Sequence, residues 1–362
     1  MSEHLLTLNA GSSSIKFALY ASEAIERGPV FGGQIEGISQ PCGLGQGGAA
    51  THVSTHEQAM EQVLQRLHER DLRIGAVGHR IVHGGWQFTE ARVMDDAVLA
   101  GIEALVSLAP LHQPHNLAGV RAARSAFPGV PQVACFDTAF HATQPELNRR
   151  FALPQALFDA GVRRYGFHGL SYESVVAQLM AADPERARGR VVIAHLGNGA
   201  SMCALNEGRS VATTMSFSPL DGLPMGTRCG RLDAAVVLHL QRQRGLSTEQ
   251  VETLLFRQSG LLGLSGLSSD MRALQASDAP AAALAVDYFV EHVLRELAGM
   301  AAALRGIDTL VFTGGIGENA AALRQRIIEG AAWLGPMDVQ VLRTDEEAVI
   351  ARHTAALLKT ER

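Results

Sequence analysis

Cysteine is scarce in this chain: four residues in 362, Cys42, Cys135, Cys203 and Cys229, far apart and without a CxxC pair. That excludes a disulfide framework and leaves a structural zinc site without support, so each is expected as a free thiol. No run of about 18 uncharged apolar residues occurs, the length a membrane-spanning helix needs. The N-terminus carries Glu3 and reaches Asn9-Ala10-Gly11-Ser12 before an apolar segment of signal-peptide length has accumulated. The expectation is a soluble, cytoplasmic chain. Positive charge is neither abundant nor clustered: 31 Lys and Arg against 36 Asp and Glu leave a net charge of -5. Without a polybasic patch, nucleic acid and anionic membrane surfaces are not expected partners.

What is present is a globular composition, 47% hydrophobic and 19% charged, long enough for about two domains. Residues 5–8 and 15–20 read as strands around a small-residue turn. After a glycine-rich stretch, 43–50, Ser54 and Glu57 suggest a capping box for a helix using Ala59, Met60, Val63, Leu64 and Leu67. Residues 74–77 read as a short strand, and Asp95 and Asp96 start a helix with Ile102, Leu105 and Val106 inward. Residues 133–136 form a buried-strand pattern that delivers Asp137 at its C-terminal end, where ligands collect in open α/β sheets. Residues 191–195 and 201–205 again flank a tight glycine turn, a weak echo of the first hairpin that suggests two half-molecules of similar design. Ser247 and Pro280 open further helices. Residues 309–313 form a strand running into a glycine loop, Gly314 to Asn319, ahead of a helix with Leu323, Ile327 and Ile328.

Three small-residue turns after strands, at 9–14, 197–200 and 314–317, favour a phosphate-handling enzyme, since small residues let backbone amides approach an anion. Each taken alone reads more readily as an ordinary tight turn. None is a P-loop, and none is a dinucleotide fingerprint. Lys16 is compatible with a phosphate contact or with a solvated edge position. Arg80 and Arg228 sit among small and apolar neighbours, where a guanidinium needs an anion: a ligand carboxylate or phosphoryl group, or an internal Asp or Glu. His112, His141, His168 and His195 lack zinc spacing. Mg²⁺, bound largely through phosphate and water oxygens, leaves little spacing signature.

Together the segments LNAGSSSIKF (8–17), GHRIVHGG (78–85), APLHQPHN (109–116), FDTAFH (136–141), RRYGFHGLSY (163–172), AHLGNGAS (194–201), FSPLDGLPMGTRCG (217–230) and FTGGIGEN (312–319) resemble the acetate kinase family, the acetate and propionate kinases of the sugar kinase, Hsp70 and actin superfamily. The resemblance implies an α/β, two-domain actin-like ATPase (ribonuclease H-like) fold with a nucleotide cleft between the domains. One domain would cover 1–138 plus a return at 349–362, and the nucleotide-binding domain 139–348. It implies phosphoryl transfer between ATP and a short carboxylate, with Mg²⁺ required and Mn²⁺ as a substitute, in a homodimer. Propionate or another short-chain acid is the alternative acceptor, and a noncatalytic nucleotide-binding relative the alternative from another class.

Carried onto matching positions, Asn9 and Glu346 resemble the metal-site residues, and Lys16, with Ser12 and Ser14, the nucleotide-phosphate contacts. His168 and Arg228 look like the pair that stabilises the transferring phosphoryl group, with Arg80 orienting the carboxylate and Asp137 in an orienting or metal-water role. His195, Gly197, Asn198 and Gly199, then Asp270, Met271 and Arg272, then Gly315, Ile316, Gly317, Glu318 and Asn319 resemble nucleotide-binding segments. Val82, Leu111, Phe167 and Pro219 would line the pocket for the substrate's alkyl end. The chain departs from the family pattern in being shorter, around 40–52 and 333–341, and in carrying Ala10, Arg343 and Asp345 beside the site residues.

Overall fold

The computed structural model describes residues 4–11, 14–36, 38, 55–70 and 72–360. Ser12, Cys42, the stretch 43–50 and Ser54 lie outside the described residues. The chain divides into two units, Met1–Phe140 with Asp345–Arg362, and His141–Thr344. The return to the first unit begins at Asp345, ahead of the boundary read at 349, because Glu346 and Glu347 pair with Arg80 and Lys16 of that unit.

In the first unit, β1 (His4–Ala10), β2 (Ser14–Ala21), β3 (Phe31–Glu36), β4 (Ile74–Ile81), β5 (Arg92–Val93) and β6 (Gln132–Phe136) form a sheet in the order β3-β2-β1-β4-β6-β5. The β1–β2–β3 meander is antiparallel, and β4 and β6 run parallel to β1. Strand β4 runs on to Ile81, past the end read at Val77, so Arg80 lies within it. The two-residue alternation of a strand sorts the side chains. Leu6, Leu8, Ile15, Phe17 and Leu19 face the helix His56–His68 through its Ala59, Met60, Val63 and Leu67. Leu5, Ala18, Tyr20 and Ala76 face Ala351 of the C-terminal helix Glu346–Thr360. Asn9, Lys16 and Arg80 share this second face by parity, which turns them toward the helix that carries Glu346 and Glu347. The helix His56–His68 is capped by Thr55, which accepts from the Gln58 amide at 3.2 Å, in place of the expected Ser54 box. The helix from Asp96 ends at Ala104, so Leu105 and Val106 lie beyond it, in and before a short 3-10 turn.

In the second unit, β7 (Val191–Leu196), β8 (Ala200–Asn206), β9 (Arg209–Thr213), β10 (Thr309–Thr313) and β11 (Asp338–Val341) form a sheet in the order β11-β10-β7-β8-β9. Here too an antiparallel meander, β7–β8–β9, continues into strands parallel to its first member. Read from the meander outward, β9-β8-β7-β10-β11 repeats β3-β2-β1-β4-β6, so the faint echo in the sequence is a shared topology. The helix Pro280–Leu304 buries Ala282, Ala285, Val286, Phe289, Val293 and Leu297, at helical spacing. Full burial of a side chain such as Phe289 contributes about 1.5–3 kcal/mol. The run Gly314–Asn319 is itself a short helix, followed by a second one, Ala321–Gly330.

Gly78 of β4 sets how closely the C-terminal helix approaches. A β-carbon there would collide with Thr354 Oγ1 and come within 2.6 Å of Ile350 Cγ2. Gly299, in the helix Pro280–Leu304, has nothing within 4 Å of the same position. Gly78→Ala is expected to destabilise by about 1–3 kcal/mol through overpacking, and Gly299→Ala to stabilise by up to about 1 kcal/mol. Urea midpoints of the two variants check both signs.

Candidate functional site

The first unit assembles a cluster of opposite charges around Arg80. Its Nε donates to both carboxylate oxygens of Asp137 at 3.1 Å, and its Nη2 to Asp137 Oδ2 at 2.6 Å. Nη1 donates to Asn9 Oδ1 at 3.1 Å, and Glu346 Oε2 lies 3.8 Å from Nε. The geometry follows from register: Leu8 pairs with His79 across parallel strands, so the next step sets Asn9 beside Arg80, and Asn9 is paired with Lys16 across the hairpin. The Asp137 side chain is 2% exposed and that of Arg80 20%. Burial works against the Arg80 charge, yet the carboxylates of Asp137, Glu346 and Glu347 hold its pKa above the ordinary guanidinium value. The internal ion pair, one of the two readings open for Arg80, is therefore formed.

The segment 109–116 supplies the scaffolding for this cluster. Asn116 donates to Ala10 O at 2.7 Å and accepts from Val82 N at 2.9 Å, tying the end of β1 to the residues after β4. Gln113 donates to His83 O at 2.9 Å. Val82 is buried and Leu111 half-buried.

Glu346 and Glu347 open their helix, where acidic groups complement the dipole. Asp345 accepts from the Ala348 amide at 2.9 Å. Asp345, one of the departures from the family pattern, thus supplies an N-cap acceptor. Glu346 Oε2 accepts from Asn9 Nδ2 at 3.4 Å. Lys16 Nζ pairs with Glu347 Oε2 at 2.8 Å, a partner the sequence reading missed although it adjoins Glu346. The other oxygen, Glu347 Oε1, is buried without a hydrogen-bond partner. Among the described residues no group of three or more His, Cys, Asp or Glu is arranged to hold a metal. The oxygens of Asn9, Glu346 and Glu347 nonetheless suit a hard cation that keeps most of its shell as water and phosphate. Ser14, at the start of β2, is half-buried.

The second unit gathers His168, His195 and Arg228. His168 precedes the helix Gly169–Ala182 in the left-handed region, φ 58 and ψ 24. That conformation is uncommon for a residue with a β-carbon and persists only where the surroundings hold it. Here the ring is held: Nδ1 lies 2.8 Å from Ser201 Oγ, and the imidazole stacks on His195 with centroids 4.4 Å apart. His195 Nδ1 is in turn 2.8 Å from Ser171 Oγ. Arg228 Nη1 donates to Pro219 O at 2.9 Å. A β-carbon at Gly199 would lie 3.3 Å from His168 Nε2 and 3.8 Å from Arg228 Nη2, so both groups converge on this residue. Phe167 and Pro219 are buried. His141 is a bracing residue: its ring nitrogens meet Ser210 Oγ and Phe167 O at 2.9 Å each, and burial lowers its pKa to about 4.

A cavity of about 760 Å³ opens in this unit, lined among others by Gly197, Asn198, Asp270, Met271, Arg272, Gly315, Ile316 and Asn319. Ser269, Gln275 and Ala320 also line it and were missed, having no chemistry that sets them apart in the sequence. Asp270 caps a short helix through the Arg272 amide at 2.9 Å, and its hydrogen bonds from the Arg272 side chain and amide hold its carboxyl below the usual range. His195, Gly199, Gly317 and Glu318 are not in the lining. Glu318 instead accepts from the Gly314 amide at 3.1 Å. The expected glycine loop is therefore a helix whose first amide is satisfied internally rather than offered to an anion.

Removing the cationic partner of a buried carboxylate leaves an uncompensated charge. Arg80→Ala is expected to cost about 3 kcal/mol at neutral pH, with a smaller deficit in acid, where the stranded carboxylate can neutralise. Urea unfolding at two pH values checks this.

Comparison with known proteins places these features in a family. The family model described as the acetokinase family matches residues 4–360. An acetate kinase of Methylocella silvestris is 48% identical over 398 aligned positions, covering 99% of this chain and 98% of the relative. Among solved structures, a propionate kinase from Francisella tularensis superposes with a TM-score of 0.91 at 34% identity, covering 98% of this chain and 99% of its own. The acetate kinase of Porphyromonas gingivalis does so with a TM-score of 0.86 at 34% identity, covering 99% and 100%. The chain, with its two mixed α/β units of actin-like ATPase type, belongs to the acetokinase family.

Proposed function

We propose that this phosphotransferase is an acetate kinase, transferring the γ-phosphoryl group of ATP reversibly to acetate to give acetyl phosphate and ADP, with Mg²⁺ required. The observation that carries the reading is the wall Gly197–Asn198–Gly199. Its first two residues line the 760 Å³ cavity, and its third lies against His168 Nε2 and Arg228 Nη2. A nucleotide in the cavity, held against residues 270–272 and 315–316, directs its phosphates along this wall toward those two nitrogens.

Phosphoryl transfer asks the protein mainly for alignment and charge stabilisation. The acceptor carboxylate is already ionised, so it needs no strong base. Arg80 receives it: Nη1 is bonded to the neutral amide of Asn9 and turns to a carboxylate without breaking the charge-assisted pair with Asp137. Asp137 therefore orients Arg80. Arg228 and His168 stabilise the equatorial oxygens as charge redistributes. Asn9, Glu346 and Glu347 supply the hard oxygen donors for Mg²⁺, which Mn²⁺ also accepts. When bound, the ion neutralises phosphate charge. Val82, Phe167 and Pro219 are buried and Leu111 is half-buried, apolar side chains of the kind the family resemblance assigns to the substrate's methyl group. Propionate is the second reading, favoured by the likeness to the Francisella propionate kinase. One methylene is worth only about 1–3 kcal/mol in such a pocket.

We place the enzyme with its nucleotide in the cytoplasm, acting on small molecules only, as a homodimer. The helix Ala234–Arg244 buries none of its residues, and Leu232 just before it and Val236 and Leu238 within it are exposed, apolar surface available to a second copy. Light scattering is expected to give twice the 38.6 kDa chain mass. A monomer that Leu238→Lys leaves unchanged would exclude this assembly.

The reaction itself is tested by trapping acyl phosphate with hydroxylamine, using ATP, Mg²⁺ and acetate, propionate or butyrate in parallel. Arg228→Ala should lower kcat by about 10²–10³-fold, with ATP binding retained. No acyl phosphate from any of the three acids, despite ATP binding by wild type, would replace the proposal with a noncatalytic role.

A further inference from the structure

Arg228 stands on neither a strand nor a helix, so its place is set by whatever holds the turn around it. Met225 N donates to Arg228 O at 3.0 Å, which closes the turn, and Arg228 Nη1 lies 3.5 Å from Met225 Sδ. The segment 255–262, from the last turn of the helix Thr248–Arg257 into the short helix Gly260–Ser265, meets this turn along its length. Ser259 N donates to Thr227 O at 3.0 Å, Leu261 N to Met225 O at 2.8 Å and Leu262 N to Gly226 O at 3.0 Å. In the opposite sense Cys229 N donates to Leu255 O at 3.0 Å and Thr227 Oγ1 to Phe256 O at 2.8 Å. On its other side the turn meets the cavity wall: Gly226 N donates to Asn198 O at 3.1 Å, and a β-carbon at Gly226 would collide with Asn198 Oδ1.

Gly260 decides how closely the segment and the turn approach. Its backbone is in the left-handed region, φ +60, and a β-carbon there would collide with Met225 O, lie 2.6 Å from Arg228 O and 3.0 Å from Arg228 N. All three are backbone atoms, so no change of rotamer relieves the contact and the turn itself has to move. Gly266, at the other end of the same short helix, has nearly the same backbone, φ +63, with nothing within 4 Å of that position. The two glycines thus meet the same conformational demand and differ in the approach to Arg228. We propose that the segment 255–262 is the template that seats Arg228 against Gly199, with Gly260 and Thr227 as positioning residues that act through its guanidinium. A misplacement of about 1 Å in a group that aligns reacting atoms costs on the order of 10²-fold in rate.

The catalytic meaning of this seating rests on the acetate kinase reading, whereas the seating itself is measured without turnover. A crystal structure of the full-length Gly260→Ala variant is expected to show the turn Met225–Arg228 displaced from residue 260 and the guanidinium withdrawn from Gly199, with both in place in Gly266→Ala. In the acyl phosphate assay Gly260→Ala should lower kcat by about 10²-fold, while Gly266→Ala, with the same backbone strain, retains the wild-type value. Thr227→Val removes one tie without a clash and carries the test if Gly260→Ala does not fold: it should lower kcat by about tenfold, and Thr227→Ser should restore it. Because both residues act through Arg228, neither substitution should cost much more in the Arg228→Ala background, where a defect of folding alone would add in full. Equal kcat in Gly260→Ala and Gly266→Ala, an Arg228 that does not move, full activity in Thr227→Val, or losses that add in the Arg228→Ala background overturn the proposal. A wild type that forms no acyl phosphate, with Arg228 displaced in Gly260→Ala as described, counts against the reaction and leaves the seating standing.

Discussion

A guanidinium placed among apolar strands must be given an anion, and in the first unit that demand is met by Asp137, whose side chain is 2% exposed. Much of the local architecture serves this pair. Strand β6 ends where it does to deliver Asp137, the Asp137 amide donates to Ile81 O at 3.0 Å beside Arg80, and Asn116 fixes the separation of the β1 and β4 ends. The close seat of the C-terminal helix on Gly78 then brings Glu346 and Glu347 to the same side. The outcome is a cation with surplus negative charge around it. Such a group stays protonated, and among the described residues its one hydrogen bond to a neutral partner is that to Asn9.

The second unit solves a different problem with the same topology. Its candidate site groups lie on a tight turn, Gly197 to Gly199, and on the residues that crowd it. Small residues matter there because His168 and Arg228 both come within contact of the position a side chain would take. The histidine is held by its left-handed backbone, by stacking on His195 and by Ser201, so its orientation is set before any ligand arrives. Preorganisation of this kind lets an electrostatic contribution act without reorganisation at the moment of transfer.

The two units therefore divide the chemistry of the acetokinase family by charge. Buried and half-buried carboxylates and a half-buried arginine occupy the first. The second holds the cavity and the convergence of His168 and Arg228 on Gly199, and Lys16, read as a phosphate contact, is found bound to Glu347.

Local rules made much of the fold legible. Short apolar segments flanking small-residue turns marked β1, β2, β7 and β8, the uninterrupted apolar run marked β6, and Ser247 with Gln250 forms a real capping box. Motif order was enough to indicate the family, and the strand–turn pattern to suggest duplication. The sequence could not show that Gly314 to Asn319 coils into a helix, since glycine's propensity argues for a loop and only packing beneath β10 and β7 overrides it. Nor could it show which carboxylate meets which cation: Asp137 lies 57 positions from Arg80, and Glu347 lies 331 from Lys16. Residue types determine what chemistry is available because charge and hydrogen-bonding capacity are local properties. Pairing and burial depend on neighbours brought together by register and helix packing, and those only the tertiary structure decides.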